Sequence, residues 1–468
     1  MKNKSIVTLL ITFLIGLGLW FVPHSEELSP QAWHLFAIFV TTIIGIILKP
    51  LPIGAMAILA ISVATITKTL SLTDVLSGFH SEIVWLVIFA FSISRGFIKT
   101  GLGERIAYYF VALMGKKTLG LSYGLLVGDL ILAPAIPSTT ARTGGVIYPI
   151  AQGLAKSFGS DRALGTERKI GSFLMKVAYQ GSVITSAMFL TAMAANPLLA
   201  SFTQDAGYSI TWGQWALGGV LPGLLSLLVM PWVVYKIYPP EIHDTPHAAE
   251  FARNKLKEMG KPSKSEWLMF SVFILLLVLW IFGSLFSIPA TVAAMCGLSL
   301  LLVLSVLDWK DILAETKAWD TFIWFAILIM LATFLNKLGF MGWFSEQVVE
   351  AISGFNPVLA FAILFLVYFY SHYLFASNTA HVGAMFPAFL LVAISLGIPP
   401  GFVILTFAFS SSLMGGLTHY GSGPAPLYYG SGYIPLKAWW RVGFLLSLVN
   451  IAIWIGVGSL WWKLLGYY

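Results

Sequence analysis

The stretch FASNTAHVGAMFPAF, residues 375–389, places Ser377, Asn378, Thr379 and His381 within five positions of an otherwise apolar sequence. A second polar knot, PSTTARTGGVIYP, occupies residues 137–149. Ser138, Thr139, Thr140, Ala141 and Arg142 stand 239 residues ahead of Ser377, Asn378, Thr379, Ala380 and His381, with no slip in the spacing. A single hydroxyl-rich cluster can simply let membrane helices pack closely. Two clusters in register, each with a basic residue in the same slot, point to a shared role instead.

The surroundings of the knots set their medium. Hydrophobic residues make up 58% of the chain and charged ones 10%, against about 25% charged in a soluble domain. Apolar runs near the length that crosses a bilayer as a helix lie around 6–22, 32–49, 51–67, 83–98, 170–200, 215–235, 267–286, 289–307, 319–336, 402–432 and 441–462. The expected fold is an all-α polytopic membrane protein with about 11 transmembrane helices, because a spanning segment must satisfy its own backbone and alternating strand patterns are absent. The first run reads as a spanning helix rather than a signal peptide, since no small-x-small cleavage site follows it. The lone Cys296 excludes an internal disulfide. The net charge of +7 comes from basic loops between spans, which reads as topology and not as nucleic-acid binding.

Lys and Arg mark the cytoplasmic side. The loop 236–266 carries Lys236, Arg253, Lys255, Lys257, Lys261 and Lys264, whereas the connector 201–214 carries none. Counting spans from these two places the N-terminus inside and the C-terminus outside. The first knot, flanked by apolar stretches within 119–155 and by basic residues beyond them, then enters from the cytoplasm and returns there. The second, within 357–396, enters from outside. Residues 84–103 and 323–342 also match, with Trp85 against Trp324 and Lys99-x-Gly101 against Lys337-x-Gly339. The chain therefore divides into a first repeat, 1–235, a cytoplasmic connecting loop, 236–266, and a second, inverted repeat, 267–468. Opposed re-entrant hairpins in inverted repeats place a substrate at the bilayer midplane, as in secondary transporters.

Ser and Thr hydroxyls and the Asn amide can donate to a carboxylate without carrying charge. The start of each hairpin's second helix adds a partial positive charge. One tip per half suits one carboxylate per tip, so a dicarboxylate bridging both is the expected substrate. Arg142 stays protonated and His381 can take a proton near neutrality, which makes this pair the candidate charge-balancing residues. Asp129 and His372, also in apolar surroundings, read as structural or at the membrane edge. Two further polar stretches, 178–200 with Gln180, Asn196 and Pro197, and 415–433 with Thr418, Gly423 and Pro424, are expected to break spanning helices and complete the pocket.

At these residues the chain resembles the divalent anion/sodium symporter family, marked by paired Ser-Asn-Thr hairpin tips. SNTA at 377–380 matches directly and STTA at 138–141 departs at Thr139. The stretches AYQG…TSAMFLTAMAANP and GLTHYGSGPAP resemble the branch of bacterial citrate/succinate antiporters and plastid 2-oxoglutarate/malate translocators. The resemblance covers nearly the whole chain. It implies a homodimer in a bacterial plasma membrane, each protomer with a scaffold domain and an elevator-type transport domain. It also implies substrate ligands at Ser138, Thr139, Thr140, Ser377, Asn378 and Thr379, to which Gln180 and Thr418 are added as pocket residues. Sodium offsets the substrate's charge in coupled members. Here Arg142 and protonated His381 would do so, and an empty domain carrying unpaired cations would return slowly. The expected function is sodium-independent exchange of 2-oxoglutarate, malate, succinate, fumarate or citrate, with no cofactor and no metal. A sodium-coupled symporter is the alternative. An intramembrane hydrolase using Ser377 and His381 lacks a Gly-x-Ser-x-Gly elbow or a His-Glu-x-x-His pair, and a passive channel does not need hairpins closed from both faces.

Overall fold

The computed structural model describes residues 2–351 and 354–468, and among these there is no β-strand. Among the described residues, eight helical segments are long and apolar enough to cross a bilayer by length and composition, and shorter apolar helices accompany them. The protein is an integral membrane protein. Side chains such as Phe13, Leu14, Leu228, Val278 and Val358 are exposed outward, the surface a lipid-facing helix presents.

Once α1 (Lys2–Phe21) is set apart, two series of elements follow the same order. The first runs α2 (Pro30–Leu48), α3 (Ile53–Ile66), the short α4 (Leu72–Leu76), α5 (Glu82–Thr100), α6 (Leu102–Met114), and the hairpin arms α7 (Thr118–Leu132) and α8 (Tyr148–Ser157). It continues with α9 (Gly171–Met188), α10 (Ala195–Asp205) and α11 (Trp212–Ile237). After α12 (Pro246–Glu258), the second runs α13 (Lys264–Phe282), α14 (Ala290–Val303), the short α15 (Trp309–Ala314), α16 (Thr316–Lys337), α17 (Phe340–Ala351), and the arms α18 (Pro357–Tyr370) and α19 (Asn378–Ser395). Its last members are α20 (Pro400–Leu413), α21 (Ala425–Gly430), α22 (Leu436–Ile451) and α23 (Gly458–Leu464).

Local chemistry starts these helices where the sequence signals them. Ser29 caps α2 by accepting from the Ala32 amide at 3.2 Å, with Pro30 at the first position. Reciprocal capping boxes open α4 (Ser71, Asp74), α11 (Thr211, Gln214), α13 (Ser263, Glu266) and α15 (Asp308, Asp311). The basic loop 236–266 contains α12, which buries Ala248, Ala249 and Ala252 against α6 and leaves Lys257 exposed. Arg105 binds Glu266 at 2.5 Å and pins α6 to the start of α13.

The centre of the molecule is unusual for its polarity. All 18 residues of α9 are buried, including Lys176, Gln180, Ser182, Thr185 and Ser186. It packs on α20, buried from Val403 to Leu413. Both helices break at their ends: α9 gives way to a short 3₁₀ turn, Leu190–Ala192, before α10, and α20 to another, Met414–Gly416, before α21. At its far end α10 is tied to α16, where Thr333 donates to the Asp205 carboxylate at 2.7 Å and Asn336 to its carbonyl at 3.2 Å.

Candidate functional site

The two hairpin tips are built alike, atom for atom. The Ser138 hydroxyl accepts from the Ala141 amide at 3.1 Å, and the Ser138 carbonyl from the Arg142 amide at 2.8 Å. The Ser377 hydroxyl accepts from the Ala380 amide at 3.4 Å, and the Ser377 carbonyl from the His381 amide at 3.1 Å. Each serine is thus an N-cap that spends its oxygen on its own helix and keeps its hydrogen free. Beyond the cap the two differ. The first tip continues as a π-helical stretch, Thr140–Ile147, and the second enters the α-helix directly; such wide turns are frequent at functional sites.

Both tips open on one cavity of about 180 Å³. Ser138, Thr139 and Thr140 line it from one side, Ser377, Asn378 and Thr379 from the other, and Ser186, Ser412 and Ser422 between them. Phe91, Val183 and Met193 supply apolar wall. Gly423 lets the Thr140 hydroxyl approach, since a Cβ there would stand 2.3 Å from it. A larger cavity of about 780 Å³, bordered by His80, Glu82, Asp205 and Lys337, contains neither tip. The smaller one is the candidate site, because hydroxyls and helix N-termini of both hairpins meet there.

Of the eight residues expected to bind substrate, six line this cavity and two stand behind it. Gln180 donates to the Gly416 carbonyl at 2.8 Å, and Thr418 is fully buried with its hydroxyl unpartnered. The break in α20 explains the placement of Gln180, since a carbonyl freed there claims its amide. The other break works likewise: Asn196 donates to the carbonyls of Ser186, at 2.7 Å, and Phe189, at 2.9 Å, and Pro197 follows it inside α10. Pro424 immediately precedes α21. Asn378, expected as an amide donor, turns its nitrogen to the Ser411 carbonyl at 2.7 Å, so its oxygen is what remains for the cavity.

Arg142 and His381 stand behind the cavity, each with partners of its own. Neither lines the cavity, and Arg142 is not an unpaired cation. Its Nε donates to Asp129 at 3.0 Å, Nη1 to the carbonyls of Ile136 and Ala192 at 3.0 and 2.8 Å, and Nη2 to the Ser186 hydroxyl at 2.7 Å. Thr185 donates to the same carboxylate. Both ions are buried, and an unpaired charge at that depth would cost more than the pairing. His381 Nδ1 lies 3.0 Å from His372 Nδ1, and its Nε2 lies 3.2 Å from the Ser371 hydroxyl. His372 Nε2 donates to the Gly421 carbonyl at 3.0 Å. Asp129, on α7, and His372, in the 3₁₀ turn Ser371–Leu374 that follows α18, are therefore deep in the fold, each ahead of its hairpin's tip with its partner beyond it.

The chain matches the family model described as "Sodium:sulfate symporter transmembrane region" over residues 3–468. It belongs to this family of divalent anion/sodium symporters. The divalent anion/sodium symporters are transport proteins, and the chain is a transporter, not an enzyme. It is 58% identical over 99% of its length to a candidate malate transporter, YflS, of Bacillus subtilis, covering 97% of that protein. Dicarboxylate transporter 1 of spinach chloroplasts is 50% identical over 99% of this chain and 82% of its own. The citrate/succinate antiporter of Escherichia coli K12 is 36% identical over 97% of this chain and 98% of its own. The crystal structure of the Alcanivorax borkumensis YdaH transporter shares the fold with a TM-score of 0.58 at 11% identity, covering 99% and 97% of the two chains.

Proposed function

We propose that this protein exchanges dicarboxylates across the membrane, each carboxylate held by one hairpin tip, without sodium. The observation that carries the reading is the convergence of two equivalently capped helix starts on one hydroxyl-lined cavity. Hydroxyl donors and amide groups at a helix N-terminus favour anions, and two such sites facing one another suit a molecule with a carboxylate at each end. The names of the relatives, a malate transporter, a dicarboxylate transporter and a citrate/succinate antiporter, support the same substrate class.

Exchange rather than net uptake follows from the state of the empty site. Each helix start carries roughly half a positive charge. In the empty carrier these face each other with the capping hydroxyls unsatisfied, and a dianion offsets them. Arg142 and His381, already partnered, act from behind the tips: the first through Ser186, the second by fixing the second hairpin. The hairpins with α9–α10 and α20–α21 form the moving body of an elevator, and α5 and α16 belong to the scaffold. The halves 1–235 and 267–468 are inverted repeats. The carrier is a homodimer in a bacterial inner membrane with its N-terminus cytoplasmic and its C-terminus outside.

The test is uptake of labelled 2-oxoglutarate into liposomes containing the purified protein and unlabelled succinate, with competitors outside. Malate, succinate and fumarate compete, whereas acetate at the same concentration does not. Equal competition by acetate would contradict a site that needs two carboxylates.

A further inference from the structure

The cavity wall formed by the broken α20–α21 segment differs chemically from the tips, and the hydrogen bonds behind it fix that difference. Tyr179 Oη lies 2.5 Å from the Gly415 carbonyl and 2.8 Å from Ser422 Oγ. A carbonyl cannot donate, so the single phenolic hydrogen goes to Gly415. Ser422 must then place its own hydrogen toward Tyr179, which leaves its oxygen lone pairs for the cavity it lines. Ser412, on the same wall, donates to the Val183 carbonyl at 2.9 Å and is likewise an acceptor toward the cavity. Asn378 has turned its nitrogen to α20 carbonyls and keeps its oxygen.

Ser186 shows the opposite polarity. Its oxygen accepts from the Arg142 guanidinium at 2.7 Å, so its hydrogen is free for the cavity or for Thr139, 3.4 Å away. With Ser138 and Ser377, whose oxygens are spent on caps, it makes a set of donors suited to carboxylates. Acceptors gathered on the remaining wall have no use for a carboxylate. They match a donor carried by the middle of the substrate.

We infer that Ser422, with Ser412 beside it, recognises the hydroxyl of a 2-hydroxy dicarboxylate and so sets the preference of the site for hydroxy over oxo and unsubstituted acids. Tyr179 is a positioning residue in this scheme, holding Ser422 in its acceptor state. The inference rests on the dicarboxylate reading above. A site that hydrogen-bonds a substrate hydroxyl discriminates against analogues lacking it far better than an apolar wall does, because its own polar groups are otherwise left unpaired.

The experiment uses full-length protein in liposomes preloaded with succinate and measures half-inhibition of labelled succinate uptake by malate, 2-oxoglutarate and succinate. Ser422→Ala raises the malate value about tenfold relative to succinate, with 2-oxoglutarate and succinate little changed. Tyr179→Phe frees the Ser422 hydrogen to donate, and shifts the malate to 2-oxoglutarate ratio toward the oxo acid. An unchanged malate to succinate ratio in Ser422→Ala would overturn the inference, as would a loss shared by all three acids, the mark of a protonated carboxyl or of general damage. Absence of succinate exchange in the unsubstituted protein would overturn the dicarboxylate reading itself, and this inference with it.

Discussion

The two hairpins solve the same problem with different chemistry. In both, a serine caps the helix that leaves the tip, its hydroxyl hydrogen is left for the cavity it lines, and a basic residue sits one turn further in. In the first, that residue is Arg142, paired with a carboxylate 13 positions earlier and wired to the cavity through Ser186. In the second it is His381, which meets another histidine nine positions earlier and does not reach the cavity. One hairpin is held by an ion pair and the other by neutral-type hydrogen bonds. Equivalent tips therefore need not have equivalent foundations, and the account predicts unequal responses to parallel substitutions.

The largest difference is expected at the partners. Asp129→Asn leaves Arg142 as a buried charge without its carboxylate and destabilises the protein by about 3–5 kcal/mol. His372→Asn removes a buried hydrogen bond and costs about 1–3 kcal/mol. Thermal unfolding in detergent compares them, and equal losses would break the distinction between the hairpins. Next, Arg142→Lys cannot reproduce a planar set of donors serving Asp129, two carbonyls and Ser186. Exchange is expected to fall by about 100-fold, on the scale of a lost charged hydrogen-bond set, whereas His381→Gln, which keeps one donor and one acceptor, loses about tenfold. Initial rates in liposomes decide the order.

The caps should behave alike. Ser138→Ala and Ser377→Ala each cost about 1 kcal/mol in stability and raise the half-saturating dicarboxylate concentration by similar factors, read from concentration series of the two variants. A loss confined to one tip would show that only one carboxylate is bound this way. The smallest effect belongs to a pair away from both hairpins. Lys99 binds Asp311 at 2.5 Å and Asp308 at 3.4 Å on a partly exposed surface. Lys99→Met should change stability by less than about 1 kcal/mol and leave exchange untouched.

The sequence was legible wherever chemistry is local. The membrane class follows from composition, and the tips stand out because hydroxyls and basic residues interrupt apolar runs in register at 138–142 and 377–381. The family follows from the same residues. What was not legible depends on contacts across turns. Asp129 and Arg142 lie on either side of a hairpin turn that has no fixed helical register, so their pairing has no periodic signal. Gln180 stands behind the cavity because the carbonyl that takes its amide, Gly416, is freed by a helix break whose geometry the sequence does not specify. The helices α6 and α17 fell outside the apolar runs because each is only partly buried and carries acidic residues, Glu104 in one and Glu346 and Glu350 in the other. Donor and acceptor polarity within the cavity was out of reach for the same reason: Ser186, Ser412 and Ser422 are identical in sequence and are distinguished by the partners behind them.

Exchange and sodium-coupled uptake are separated by the entry of labelled 2-oxoglutarate into liposomes, either preloaded with unlabelled dicarboxylate or empty, each with and without a sodium gradient. The account predicts uptake into preloaded vesicles alone, indifferent to sodium. Uptake into empty vesicles driven by the sodium gradient would contradict it and make the protein a coupled symporter.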